Sequence, residues 1–88
     1  MKTLVEQGVS IVKQVSTVIA AKYGYIISAG YSDELTELTS HDDSELIKIT
    51  SNGDQISYQV SLSNRNDDRA IEIQTMVTDV IDIVKILN

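Results

Sequence analysis

Leu46-Ile47-Lys48-Ile49-Thr50-Ser51-Asn52-Gly53-Asp54-Gln55-Ile56-Ser57-Tyr58-Gln59-Val60-Ser61-Leu62 reads as two alternating runs on either side of a turn. Asn-Gly favours a two-residue type I′ turn, because both central positions of that turn need positive φ. A loop at Asn52-Gly53 sets Ile49 opposite Ile56 and Ile47 opposite Tyr58, with Val60 and Leu62 on the same face. Lys48, Thr50, Gln55, Ser57 and Gln59 fall on the other face. One apolar and one polar face describe a hairpin, residues 46–51 and 55–62, in a small antiparallel sheet covered on one side only.

The covering layer is read from the flanks. Upstream, Leu4, Ile11, Val15 and Val18 recur at helical spacing, with Val5, Val12 and Ile19 in parallel, which predicts a long N-terminal helix over about 3–23. Thr3 and Glu6 fit a capping box, while Lys22 and Gly24 suit its end. Downstream, Ile73, Val77, Val80, Val84 and Leu87 predict a C-terminal helix over about 68–87, capped by Asn66 or Asp67. A competing reading makes 69–74 a strand, since Ile71 and Ile73 also alternate. Tyr25 to Ala29 is a further strand candidate, and Tyr31 to Ser44 reads as an irregular acidic stretch in which Leu35 and Leu38 seat one helical turn. The fold class is α+β: both helices pack on the same face of the sheet, and residues 1–88 form a single domain. The expected core is Leu4, Ile11, Val15, Val18, Ile47, Ile49, Ile56, Tyr58, Val60, Val77, Val80 and Val84.

The charge is unevenly placed. The chain has 13 acidic and 7 basic residues, a net charge of −6. Asp33, Glu34, Glu37, Asp42, Asp43 and Glu45 lie in thirteen consecutive positions that contain no Lys or Arg. The remaining acidic and basic residues balance, so the whole surplus sits in that segment. Direct nucleic-acid binding is disfavoured, because phosphate recognition needs a basic footprint. No run approaches the roughly 18 apolar residues that a membrane span requires, so no membrane role is expected. The chain has no Cys, which excludes disulfides and thiolate metal sites and points to a reducing, cytoplasmic setting.

Catalytic chemistry finds little to stand on. His41 is the only histidine. Next to Asp42 and Asp43 it is a thin basis for a metal site, since a catalytic zinc takes three protein ligands. No Gly-x-Ser-x-Gly elbow and no glycine-rich phosphate loop occurs. The expectation is therefore a protein that is no enzyme and needs no metal or cofactor. It would act as a regulator or inhibitor on a protein partner with a basic surface, through Asp33, Glu34, Glu37, Asp42, Asp43 and Glu45, since clustered carboxylates speed encounter with such surfaces. A homodimer is expected as well, because a core with no Phe or Trp is thin. The second functional class is a structural or assembly subunit that forms homo-oligomers through apolar helix faces.

Overall fold

In the computed structural model, which describes residues 10–52 and 55–87, Ser10 opens the first helix. Its backbone is extended (φ −69°, ψ 160°) and its Oγ accepts a hydrogen bond from Lys13 N at 3.2 Å. Its carbonyl accepts from Gln14 N at 3.0 Å. Such a cap satisfies donors that the first helical turn leaves free. Helix α1 then runs Ile11–Tyr23 and stops at Gly24, whose φ of 77° is left-handed and whose N–H donates to the Ala20 carbonyl at 3.1 Å. The expected capping box at Thr3 and Glu6 lies outside the described residues. The described helix begins later than expected because Ser10 itself leaves helical geometry.

The inward row of α1 is Val12, Val15, Ser16 and Ile19, a spacing of three, one and three. Val18 was expected in the core and is 38 % exposed. At 100° per residue it lies off the row that Val15 and Ile19 define. Ser16 tolerates full burial because its hydroxyl donates to the Val12 carbonyl at 2.7 Å. Leu4 lies outside the described residues, and Ile11, Ile56, Tyr58 and Val60 pack at the margin of the core, partly buried.

Four strands follow in a meander: β1 Ile26–Ala29, β2 Leu35–Thr39, β3 Glu45–Asn52 and β4 Gln55–Leu62. Every pair is antiparallel and the spatial order is β1-β2-β3-β4. Asn52 pairs with Gln55, so Ile49 faces Tyr58 and Ile47 faces Val60. The connection is 53–54, outside the described residues, and the register lies two residues from the one that an Asn52-Gly53 turn implies. A shift of two preserves the side-chain alternation, so the expected faces hold although the pairs differ.

Strand β2 corrects the reading of 31–44 as irregular. Leu35 and Leu38 do not share a helical turn. Thr36 and Leu38 point inward, both fully buried, opposite Ile49 and Ile47, while Glu37 points outward. Helix α2, Asp67–Leu87, is capped by Asn66, whose Oδ1 accepts from Arg69 N at 3.0 Å. Residues 69–74 are helical, so no strand forms there. Its inward row is Ile73, Val77, Val80, Ile81 and Val84. Both helices lie on the inner face, above Leu38, Ile47 and Ile49, which have no exposed surface. The outer face, with Ser28, Glu37, Thr39, Lys48, Thr50, Ser57 and Gln59, is uncovered among the described residues.

One inner residue conflicts with its surroundings. Thr36 is fully buried and its Oγ1 has no hydrogen-bond partner among the described residues. A buried hydroxyl left unpaired costs about 1–3 kcal/mol. Thr36→Val keeps the branched shape and removes the cost, so it should stabilise the fold by about 1 kcal/mol, a rise in Tm of roughly 4–8 °C for a domain of this size. A lower Tm in a thermal melt would show that the hydroxyl is satisfied.

Candidate functional site

The chain geometry unrolls the acidic segment over three regions. Asp33 and Glu34 lie in the β1–β2 loop, where Asp33 Oδ1 is 3.8 Å from Lys13 Nζ and both side chains are exposed. Lys13 also sits 5.2 Å from the Tyr31 ring centroid. Glu37 projects from the middle of the outer face, opposite Lys48. Asp42 and Asp43 occupy the β2–β3 turn at the other end of β2. Five strand residues at about 3.3 Å each separate the two loops by roughly 16 Å. That is about twice the Debye length of ~8 Å at physiological salt, so in solution the two ends do not act as one charge.

The turn itself is tightly bonded. Asp42 Oδ1 accepts from Ser44 Oγ at 2.6 Å, Ser40 Oγ at 2.8 Å and Ser44 N at 3.1 Å. These bonds, the Ser44 hydroxyl first, hold its pKa down at about 2. Asp43 follows at φ 60°, a left-handed backbone that Asp adopts more readily than most residues. Both carboxylates are exposed, and neither has an ion-pair partner among the described residues.

Glu45 is diverted from the surface. As the first residue of β3 it faces the helices, 16 % exposed at its side chain, and Arg69 of α2 grips it with Nε–Oε2 at 2.7 Å and Nη2–Oε1 at 3.1 Å. Tyr25, which lies between α1 and β1, donates its hydroxyl to Glu45 Oε1 at 2.6 Å. Arg69 also reaches Glu72 Oε2 at 3.3 Å. The Arg69 bonds pull the Glu45 pKa below the usual carboxylate range. The Glu45 bond in turn raises that of Arg69. Burial, then the Glu45 bond, pushes the Tyr25 phenol up to about 12. Fork-shaped arginine pairing of this kind joins three parts of the chain.

Glu45 therefore serves the fold, and Asp33 is partly matched by Lys13. Sequence reasoning missed what replaces them. Ser63 N donates to the Ser44 carbonyl at 2.8 Å, which brings the start of α2 beside the β2–β3 turn. Asp67 and Asp68, assigned from sequence only to a helix start, thereby come to the same end of the molecule as Asp42 and Asp43. Arg65 lies 3.4 Å from Asp67, both well exposed. Beside them Ser44, Glu45, Leu62, Asn64, Asn66 and Arg69 line an open recess of about 160 Å³. His41 borders a second recess of about 150 Å³ with Tyr25, Ser40, Glu45 and Arg69. Among the described residues no three His, Asp or Glu converge on a point where a metal ion could sit. No described helix is long and apolar enough to cross a membrane.

The fold and this end of it define an α+β domain with two helices on one face of a four-stranded meander and a carboxylate-rich end. Comparison with protein-family models, with curated proteins and with solved structures gives no match to this chain.

Proposed function

We propose that the protein is a non-catalytic binding module, a regulator or inhibitor that meets a basic surface on a protein partner. The observation that carries this reading is the exposed Asp42–Asp43 turn, with Asp67 and Asp68 at the same end of the molecule. The bonds from Ser40 and Ser44 fix Asp42 in place and keep it charged across the physiological range. Pre-fixed charge lowers the ordering cost of an encounter and raises its rate. Of the residues singled out by sequence, Asp42 and Asp43 carry the proposal. Asp33, Glu34 and Glu37 are peripheral to it, and Glu45 supports the fold.

The test is affinity capture from the native cell, followed by binding measurements on the captured partner. Asp42→Asn with Asp43→Asn and Asp68→Asn should weaken binding, and should flatten its dependence on salt. Asp33→Asn with Glu34→Gln should leave both nearly unchanged. Equal affinity and equal salt slope for the two variants would remove the reading.

A second reading, self-assembly, has its own support. Ile71 on α2 is 60 % exposed and borders a groove with Tyr58, beside the half-buried apolar row of β4. An apolar side chain left in water at a helix surface gains free energy when a second surface covers it.

A further inference from the structure

The two edges of the sheet are not alike. Edge strand β1 has four residues, and its register shifts between Ile27 and Ala29. Shortness and irregularity blunt an edge against pairing. Edge strand β4 has eight residues, Gln55–Leu62, paired with β3 without interruption. It contains no charged residue and no proline, so neither of these two protections blunts it.

Which groups this edge offers follows from one hydrogen bond. Ser63 N donates to the Ser44 carbonyl, so the Ser44–Ser63 pair is a bonded one. In an antiparallel ladder bonded and unbonded pairs alternate. Residues 55, 57, 59 and 61 therefore bond toward β3. Ile56, Tyr58, Val60 and Leu62 turn their N–H and C=O groups outward. Among the described residues no other backbone bond engages this strand. The side chains of the same four residues lie on the helix-covered face and are only half-buried. Beside them Ile71, Gln74, Thr75 and Thr78 of α2 border a groove of about 310 Å³ with Tyr58.

We propose that two copies of the chain pair antiparallel through this edge, joining two four-stranded sheets into one. This rests on the self-assembly reading and assigns its surface. With the two-fold axis at Gln59, Tyr58 faces Val60 of the second copy and Ile56 faces Leu62. Every outward N–H and C=O of the four residues then finds a partner. Aromatic–branched and aliphatic pairs on one face, and uncharged Ser57–Ser61 and Gln59–Gln59 pairs on the other, oppose no like charges. The half-buried apolar row and Ile71 are covered in the same step. A closed two-fold contact of this kind ends at the dimer.

Sedimentation over a roughly hundredfold range of protein concentration tests the pairing. The wild type should dimerise. Val60→Pro removes one outward N–H and spares the β3 ladder. Gln59→Glu lies beside Lys48 in the monomer and sets two carboxylates opposite each other in the dimer. Each should raise the dimer dissociation constant about tenfold or more. Mixing Gln59→Glu with Gln59→Lys should restore association. Ile83→Asp, on the helix face lining the groove shared with Val18 and Tyr23, should leave it unchanged. If Val60→Pro lowers the urea midpoint, the Gln59 variants alone decide, since that side chain is exposed. A wild type that stays monomeric throughout would overturn self-assembly itself. A dimer that ignores Val60→Pro and Gln59→Glu, or one broken by Ile83→Asp, would overturn this surface.

Discussion

Ile49→Ala should cost about 2–5 kcal/mol in urea unfolding, with little change in the slope m. Ile49 has no exposed surface and lies in β3 between Thr36 and Tyr58, under the helices. Truncation forfeits the transfer energy of the lost carbons and leaves a cavity that a close-packed sheet and helix layer cannot fill. A chain of 88 residues has a total stability of roughly 4–13 kcal/mol. The variant thus stands near the limit of folding at the upper end of the range. Ile49→Val, at about 0.5–1.5 kcal/mol, gives a graded second measurement. A loss below about 1 kcal/mol for the alanine variant would mean that Ile49 does not fill the space between sheet and helices.

Arg69→Met should be the most damaging change outside the apolar core, at about 1–2 kcal/mol. Removing one partner of a fully buried pair costs about 3–5 kcal/mol, but the Arg69 side chain is 41 % exposed, so water screens the remaining charge and lowers the cost. A double-mutant cycle with Glu45→Gln should return a coupling of about 1 kcal/mol. The pH dependence gives an independent check. The folded-state pKa of Glu45 is lowered, so the unfolded state binds more protons as pH falls below about 4.3. The contribution of the pair is full above that pH and is lost as pH drops through the folded pKa. Asp42 titrates in the same direction, down to about 2. Tyr25 acts at the other extreme: its raised pKa favours the folded state below pH about 10, an advantage lost by about 12. Arg69→Met should flatten the acid side of the stability curve. Parallel curves for variant and wild type would show that the fork does not hold Glu45 charged.

The hairpin and the two helices were legible because each carries a periodicity over many residues. The exact pairs within the hairpin were not: the turn that Asn52-Gly53 suggests differs by two residues from the pairing the sheet adopts, and alternation cannot distinguish registers of equal parity. Strand β2 escaped notice for another reason. Only Thr36 and Leu38 mark its inward face, Leu35 falls on the outward one, and the flanking acids resemble a solvated loop. In the first helix two apolar rows run in parallel, and nothing local says that Val12 and Ile19, rather than Val18, face the sheet. The acidic segment was legible as charge, but its spread over two loops and a strand face was not. Proximity in sequence becomes distance once a strand is drawn between Glu34 and Asp42. The reverse holds for Glu45 and Arg69, 24 positions apart and directly bonded, a relation that no local pattern announces.

The meander also governs how the chain can be assembled. Every strand pairs with its neighbour in sequence, so the sheet closes through short loops whose entropic penalty is small. The long closure left over is the meeting of α1 with α2, which lie on opposite sides of the whole meander in sequence. The bond from Arg69 to the Tyr25 hydroxyl spans 44 positions and forms only when the two chain halves have met. It works as a latch between the two halves of the chain, across the whole of the meander.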